Sequence, residues 1–286
     1  MSTDDLKGDP KGDPKGERGD DPDSWLGLSR KSGGGPLEGG GWFRDCRNAA
    51  IILTGWPFGR RGEIGRAAEA DSRRAFVLVG LALGLAAALF AWLADLLGLQ
   101  AFGAAVFAAV TLATLSNARA EGAAAAAAAN LAGAEEGSDA RIAVVAAAVG
   151  AVLLARIAGL AALAPLTAML AALIAAQVLS TATMALATLA GGDGDADPLF
   201  DAQRDNPRSD RGGNVALWIS AAAALLLAIL FLGLWTALLA AAVSLIVGAL
   251  VFVSADLFGM PRDRKLLHTL RIKSELAVIV TVVAVS

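Results

Sequence analysis

Tyrosine is absent from these 286 residues, and cysteine and histidine occur once each, as Cys46 and His268. One cysteine excludes an internal disulfide and any multi-cysteine metal site. One histidine excludes a histidine-rich metal cluster. Net charge is scarce as well: at −3 it gives nucleic acid nothing to be drawn to by bulk charge. There is no phosphate-cradling glycine loop of the Walker type and no nucleophile elbow. No cleavable leader is visible, because the first 24 residues are polar. The first apolar span is therefore expected to serve as its own insertion signal.

What the chain has is apolar length. Hydrophobic residues make up 56% of it and its mean hydropathy is positive. Ala75 to Ala94 is uncharged throughout. At about 1.5 Å per helical residue it is roughly 30 Å long, the thickness of a bilayer's hydrocarbon core. After Asp95 and Gln100 the chain runs back through Ala101 to Leu115, a helical hairpin. The same pattern predicts spans at about 75–94, 101–116, 142–164, 166–190, 215–233, 235–253 and 274–286. The expected fold is an all-α polytopic membrane bundle of six to seven transmembrane helices. Gly80 and Gly84, four apart, suit either a close helix–helix approach or ordinary membrane glycine.

The polar remainder sets the organisation. Residues 1–41 are low complexity, with Lys7-Gly8-Asp9-Pro10 repeated as Lys11-Gly12-Asp13-Pro14, and read as a disordered tail. Residues 42–74, apolar at first and then arginine-rich, read as an interfacial element with an amphipathic helix over 63–74. The alanine run Ala123 to Ala129 should be helical but is too short to span. Arginines crowd 44–74, one stands at 119 and another at 141, and more basic residues lie at 204–211 and 262–273, while the turns near 95–100, 165 and 233 carry none. That asymmetry places the N-terminus and the basic connections on the cytoplasmic side of a bacterial inner membrane.

Polar groups at membrane depth are expensive and point to function. Arg156 lies mid-span, where it needs a partner or an anionic ligand, or snorkels. Glu121, Asp139, Asp256 and Glu275 either converge on the cytoplasmic face, where carboxylates hold Mg²⁺ and phosphate, or lie scattered in solvated loops. Asp193-Gly194-Asp195-Ala196-Asp197 opens like a calcium loop but fails further on, at Pro198 and Arg204. His268, among basic residues, reads as a surface residue.

The order of segments resembles the cobalamin synthase family, adenosylcobinamide-GDP ribazoletransferases of the inner membrane. Leu53-Thr54-Gly55-Trp56-Pro57 is similar to its early Leu-Thr-x-x-Pro. Phe76-Val77-Leu78-Val79-Gly80-Leu81 resembles the start of its first span. Glu121-Gly122 falls on the Asp-Gly of its acidic motif, whose two later aspartates fall on alanines here. Asp139-Ala140-Arg141-Ile142 and Arg156 match its next motif, and Ser254-Ala255-Asp256 and Glu275 its last. The resemblance implies transfer of the adenosylcobinamide phosphate group to α-ribazole or its 5′-phosphate, with release of GMP. It implies Asp256 and Glu275 as catalytic residues and Arg141 and Arg156 as phosphate binders. Glu121, Asp139 and Asp256 would be ligands to Mg²⁺. Expected partners are membrane lipid, corrinoid and ribazole substrates and a second copy of the chain, with no nucleic acid. The alternative expectation is a non-catalytic membrane homologue that binds or assembles with other late corrin enzymes. A small transporter, resting on Arg156, is a third.

Overall fold

Runs of alanine, leucine and valine bounded by glycine and proline favour helix, and in lipid a helix satisfies its own backbone. The computed structural model describes residues 41–56, 71–190 and 210–286. The tail before residue 41, Arg60, Arg61 and Arg66, and the segment Asp193 to Asp197 lie outside the described residues. Among the described residues there are nine α-helices and no strand. They are α1 (Trp42–Thr54), α2 (Phe76–Leu96), α3 (Ala101–Leu115), α4 (Arg119–Leu131), α5 (Asp139–Ala161), α6 (Leu166–Ala187), α7 (Asp210–Leu232), α8 (Leu234–Leu257) and α9 (Arg264–Val285).

Five helices, α2, α5, α6, α7 and α8, are long and apolar enough to cross a membrane. The pair α3 and α4 makes a sixth crossing only if taken together, and it bends by 84° at a break that holds Asn117 and Ala118 in the left-handed region. The alanine run is helical, as expected, and forms most of α4. The segment 274–286 is not a separate span but the second half of α9, which starts at Arg264. Asp263 caps it, accepting the Leu266 N–H at 3.0 Å. Leu266, Leu267, Leu270 and Ile272 pull this basic segment into the bundle, because all four are buried.

Helix α6 is the axis of the bundle. Most of it is buried, and it packs against α2, α7, α8 and α9. Its polar residues are satisfied locally. Thr181 donates to the Gln177 carbonyl at 2.7 Å and Thr183 to the Leu179 carbonyl at 2.9 Å. The Thr183 and Ser244 hydroxyls meet at 2.8 Å across to α8. Small residues let the helices close in. A Cβ on Gly80 would lie 2.8 Å from the Gln177 carbonyl oxygen, and one on Gly84 would lie 2.9 Å from the Ile174 Cα. Both glycines therefore serve the close approach of α2 to α6, one of the two readings the spacing allows.

Helix α1 buries Ala49, Ile52 and Leu53 in a cluster with Phe76, Met184, Leu267 and Leu270 and leaves Trp42 and Phe43 exposed. Asp45, fully buried, accepts from the Arg74 Nε at 2.7 Å, and Arg74 also lies over the Trp42 ring. This ties α1 to the entry of α2.

Gly84→Ala should cost about 1–3 kcal/mol, because backbone rather than a yielding side chain stands in the way. Gly150→Ala, where nothing lies within 4 Å, should stay within about 0.5 kcal/mol of the parent. Reversible unfolding in detergent micelles compares the two.

Candidate functional site

An arginine inside an apolar helix needs oxygen acceptors from other helices, and α5 is built to deliver one. Of its residues only Arg156 and Leu160, one turn apart, are buried. Close contact with α9 is allowed by Gly159, where a Cβ would meet the Ile279 Cγ2 at 2.7 Å. That approach brings Arg156 to Glu275, one turn before Ile279. Arg156 Nε donates to Glu275 Oε1 at 2.7 Å and Nη2 donates to Oε2 at 3.0 Å, a two-pronged grip. Its Nη1 donates to Glu121 Oε1 at 2.7 Å. Arg156, Glu121 and Glu275 are each no more than 2% exposed.

Glu121 reaches this point because α4 turns away from α3 and lies against both α5 and α9. Ala120, Ala123, Ala125 and Ala129 are buried along that contact. A larger side chain on those positions would hold the helices apart.

A second arginine completes the cluster. Arg271, one turn before Glu275 on α9, is buried and its Nη2 donates to Gln177 Oε1 on α6 at 2.8 Å. Two arginines and two glutamates thus share one buried, formally neutral cluster that spans α4, α5, α6 and α9. Burial of charge at this depth is tolerable only with such compensation. Among the described residues no hydrogen-bond partner reaches Glu121 Oε2 or Arg271 Nε and Nη1.

The other expected site residues lie elsewhere. Asp139 is exposed at the start of α5. Arg141, two residues on, donates to the Ala134 carbonyl at 3.0 Å and to Asn130 Oδ1 at 3.1 Å, stitching the α4–α5 connection. Asp256, half exposed near the end of α8, pairs with Arg262 at 3.0 Å. The structure therefore unites Glu121, Arg156 and Glu275 and leaves Asp139, Arg141 and Asp256 apart from them.

Mg²⁺ is usually held by one or two carboxylates together with waters and substrate phosphates, and the three proposed ligands lie apart from one another, two of them already paired with arginines. Glu121 is held by a guanidinium, Asp256 by another, and Asp139 faces solvent. Among the described residues no group of three His, Cys, Asp or Glu side chains comes together to hold a metal. The residues do not fit the ion.

His268 is a correction to the sequence reading. It is buried rather than on the surface, on the α9 face that also carries Arg271 and Glu275. Burial first, and then Arg271, Arg119 and Arg264, push its imidazole down to about 3, which keeps it neutral; a hydrogen bond to the Ile52 carbonyl opposes them. His268, Arg271 and Glu275 stand three and four residues apart, a helical stripe that was visible in the sequence. Reading 254–273 as a loop hid it.

Comparison of the chain with protein-family models, with characterised proteins and with solved structures finds no match.

Arg156→Ala leaves two buried carboxylates with Arg271 as their remaining counter-charge and no hydrogen bonds from Arg156, and should destabilise the bundle by about 3–5 kcal/mol. Adding Glu121→Gln and Glu275→Gln should recover part of that loss, read by the same unfolding measurement as a coupling energy.

Proposed function

We propose that this chain is a multi-pass protein of the bacterial inner membrane that acts as a non-catalytic, cobalamin-synthase-like binding or assembly partner of late corrin enzymes. One observation carries the reading: Arg156 holds Glu121 and Glu275 together by three short charged hydrogen bonds. The two acids that the family resemblance would assign to metal and proton chemistry are spent on neutralising an arginine. The alanines of α4 fall where the family's further aspartates would stand, and here they serve helix packing. The basic connections support an orientation with the N-terminus on the cytoplasmic side. The outward apolar surface of α5 supports contact with lipid or a second copy of the chain.

The second reading is the ribazoletransferase reaction itself. It is favoured by the preserved order of Asp139, Arg141, Arg156, Asp256 and Glu275 along the chain. In that reaction the ribazole oxygen forms a bond to the phosphorus next to cobinamide, and GMP leaves with the electron pair of the broken bond. Arginine side chains would have to supply the charge stabilisation.

The assay is GMP release by the purified full chain in nanodiscs, given adenosylcobinamide-GDP and α-ribazole 5′-phosphate. The expected outcome is release at the blank rate with and without Mg²⁺, together with retention of the corrinoid on the protein. Turnover that disappears in Asp256→Ala would overturn the first reading in favour of the second.

A further inference from the structure

The buried cluster does not account for the basic edge of the bundle. Where α4 and α9 begin side by side, a cavity of about 300 Å³ is lined by Arg119, Gly122 and Ala126 from α4 and by Arg264, Lys265 and His268 from α9. Among the described residues no acid lines it. Both helices present their N-terminal turns here, the positive ends of their dipoles. Positive charge from side chains and from backbone is therefore concentrated on one small space.

The back of the cavity is built rather than incidental. Arg119 Nη1 donates to the Ile52 carbonyl at 3.2 Å, at the C-terminal end of α1. Gly55, with φ at 74°, follows that end, and a Cβ there would strike the Arg119 guanidinium. His268 bonds the same Ile52 carbonyl. His268 also lines the cavity, and among the described residues no hydrogen-bond partner reaches its buried Nδ1, in a side chain only 5% exposed. A buried acceptor without a donor is costly unless something supplies one. A phosphate group does so in either of two ways: through its own P–OH, or by drawing a proton onto the imidazole, which then donates to a phosphate oxygen.

We propose that this cavity binds the phosphate group of a ligand, and that His268 takes up one proton from solvent at Nδ1 as the phosphate enters. The charged groups around His268 explain the coupling. Arg264 and Arg271 on its own helix and Arg119 on α4 all oppose its protonation, and the Ile52 carbonyl of α1 favours it. An anion placed in the cavity beside Arg119 and Arg264 offsets their opposition. The same chemistry serves a phosphate in solution and a phospholipid headgroup at the membrane edge. The inference stands whether or not the protein handles corrinoids.

Because His268 is the only histidine, isotopic labelling of histidine reports on this site alone. The full chain, labelled with ¹⁵N-histidine, is placed in phosphatidylcholine nanodiscs at about pH 5, above the lowered value of about 3 for this buried imidazole. Inorganic phosphate is titrated in, and a parallel sample contains phosphatidic acid. The Nδ1 resonance should move toward its protonated position, with the titration midpoint raised by about one unit or more. A response to inorganic phosphate identifies a soluble ligand, and a response to phosphatidic acid alone identifies the headgroup. Lys265 is exposed, so Lys265→Gln should fold normally and weaken the response about tenfold. A resonance unmoved in both arms overturns the proposal. So does a full response in the Arg264→Gln, Lys265→Gln double variant, because the anion would then be binding elsewhere.

Discussion

A guanidinium held inside an apolar bundle imposes the strictest demand on this structure. Arg156 has no water to turn to, so its charge and its donors must be matched by protein. Glu275 and Glu121 match them from two other helices, and Arg271 restores neutrality while reaching Gln177 on a third. Four helices are thereby fixed against one another by charge rather than by shape alone. Apolar packing between membrane helices gains little from water exclusion, so such a cluster contributes specificity that leucine and alanine contacts do not.

The rest of the packing is arranged so that this cluster can form. Gly159 lets α5 approach α9, the alanines of α4 let it lie against both, and Gly80 and Gly84 seat α2 on α6. Each small residue removes a side chain that would hold two helices about a methyl group too far apart. A charged hydrogen bond weakens steeply with such a displacement, so the alanine-rich composition and the buried arginine belong to one design. The bend between α3 and α4 has the same consequence, since a straight continuation would carry Glu121 away from Arg156.

The basic edge and the buried interior meet along one face of α9. His268 faces the cavity, Arg271 lies one turn deeper, and Glu275 one turn deeper again. Among the described residues, no partner reaches one or more atoms at each of the first two steps, nor Glu121 Oε2 beside the third. Polar groups this costly to bury are rarely left without a role, and their alignment gives the basic edge a polar connection to the centre of the bundle.

Much of the fold was legible in the sequence, because uncharged runs of helix length carry their own meaning in lipid: the helix type, the hairpin at 95–100 and the turn at Gly233 all follow from spacing and composition. Arg156 was legible as a residue in need of a partner for the same reason. Its partners were not, because Glu121 and Glu275 lie far away along the chain and look like ordinary loop and helix-start acids. The start of α9 was missed because its charges outweigh its leucines in any linear reading. Only the packed structure shows that the leucines face the core and carry His268 and Arg271 in with them. The sequence by itself determined that this is an all-α membrane protein, since backbone in hydrocarbon has no cheaper form. Which charges neutralise which, and which acids are therefore unavailable for a metal, was decided only by the tertiary structure. Electrostatic compensation depends on distance in space, and distance along the chain does not encode it.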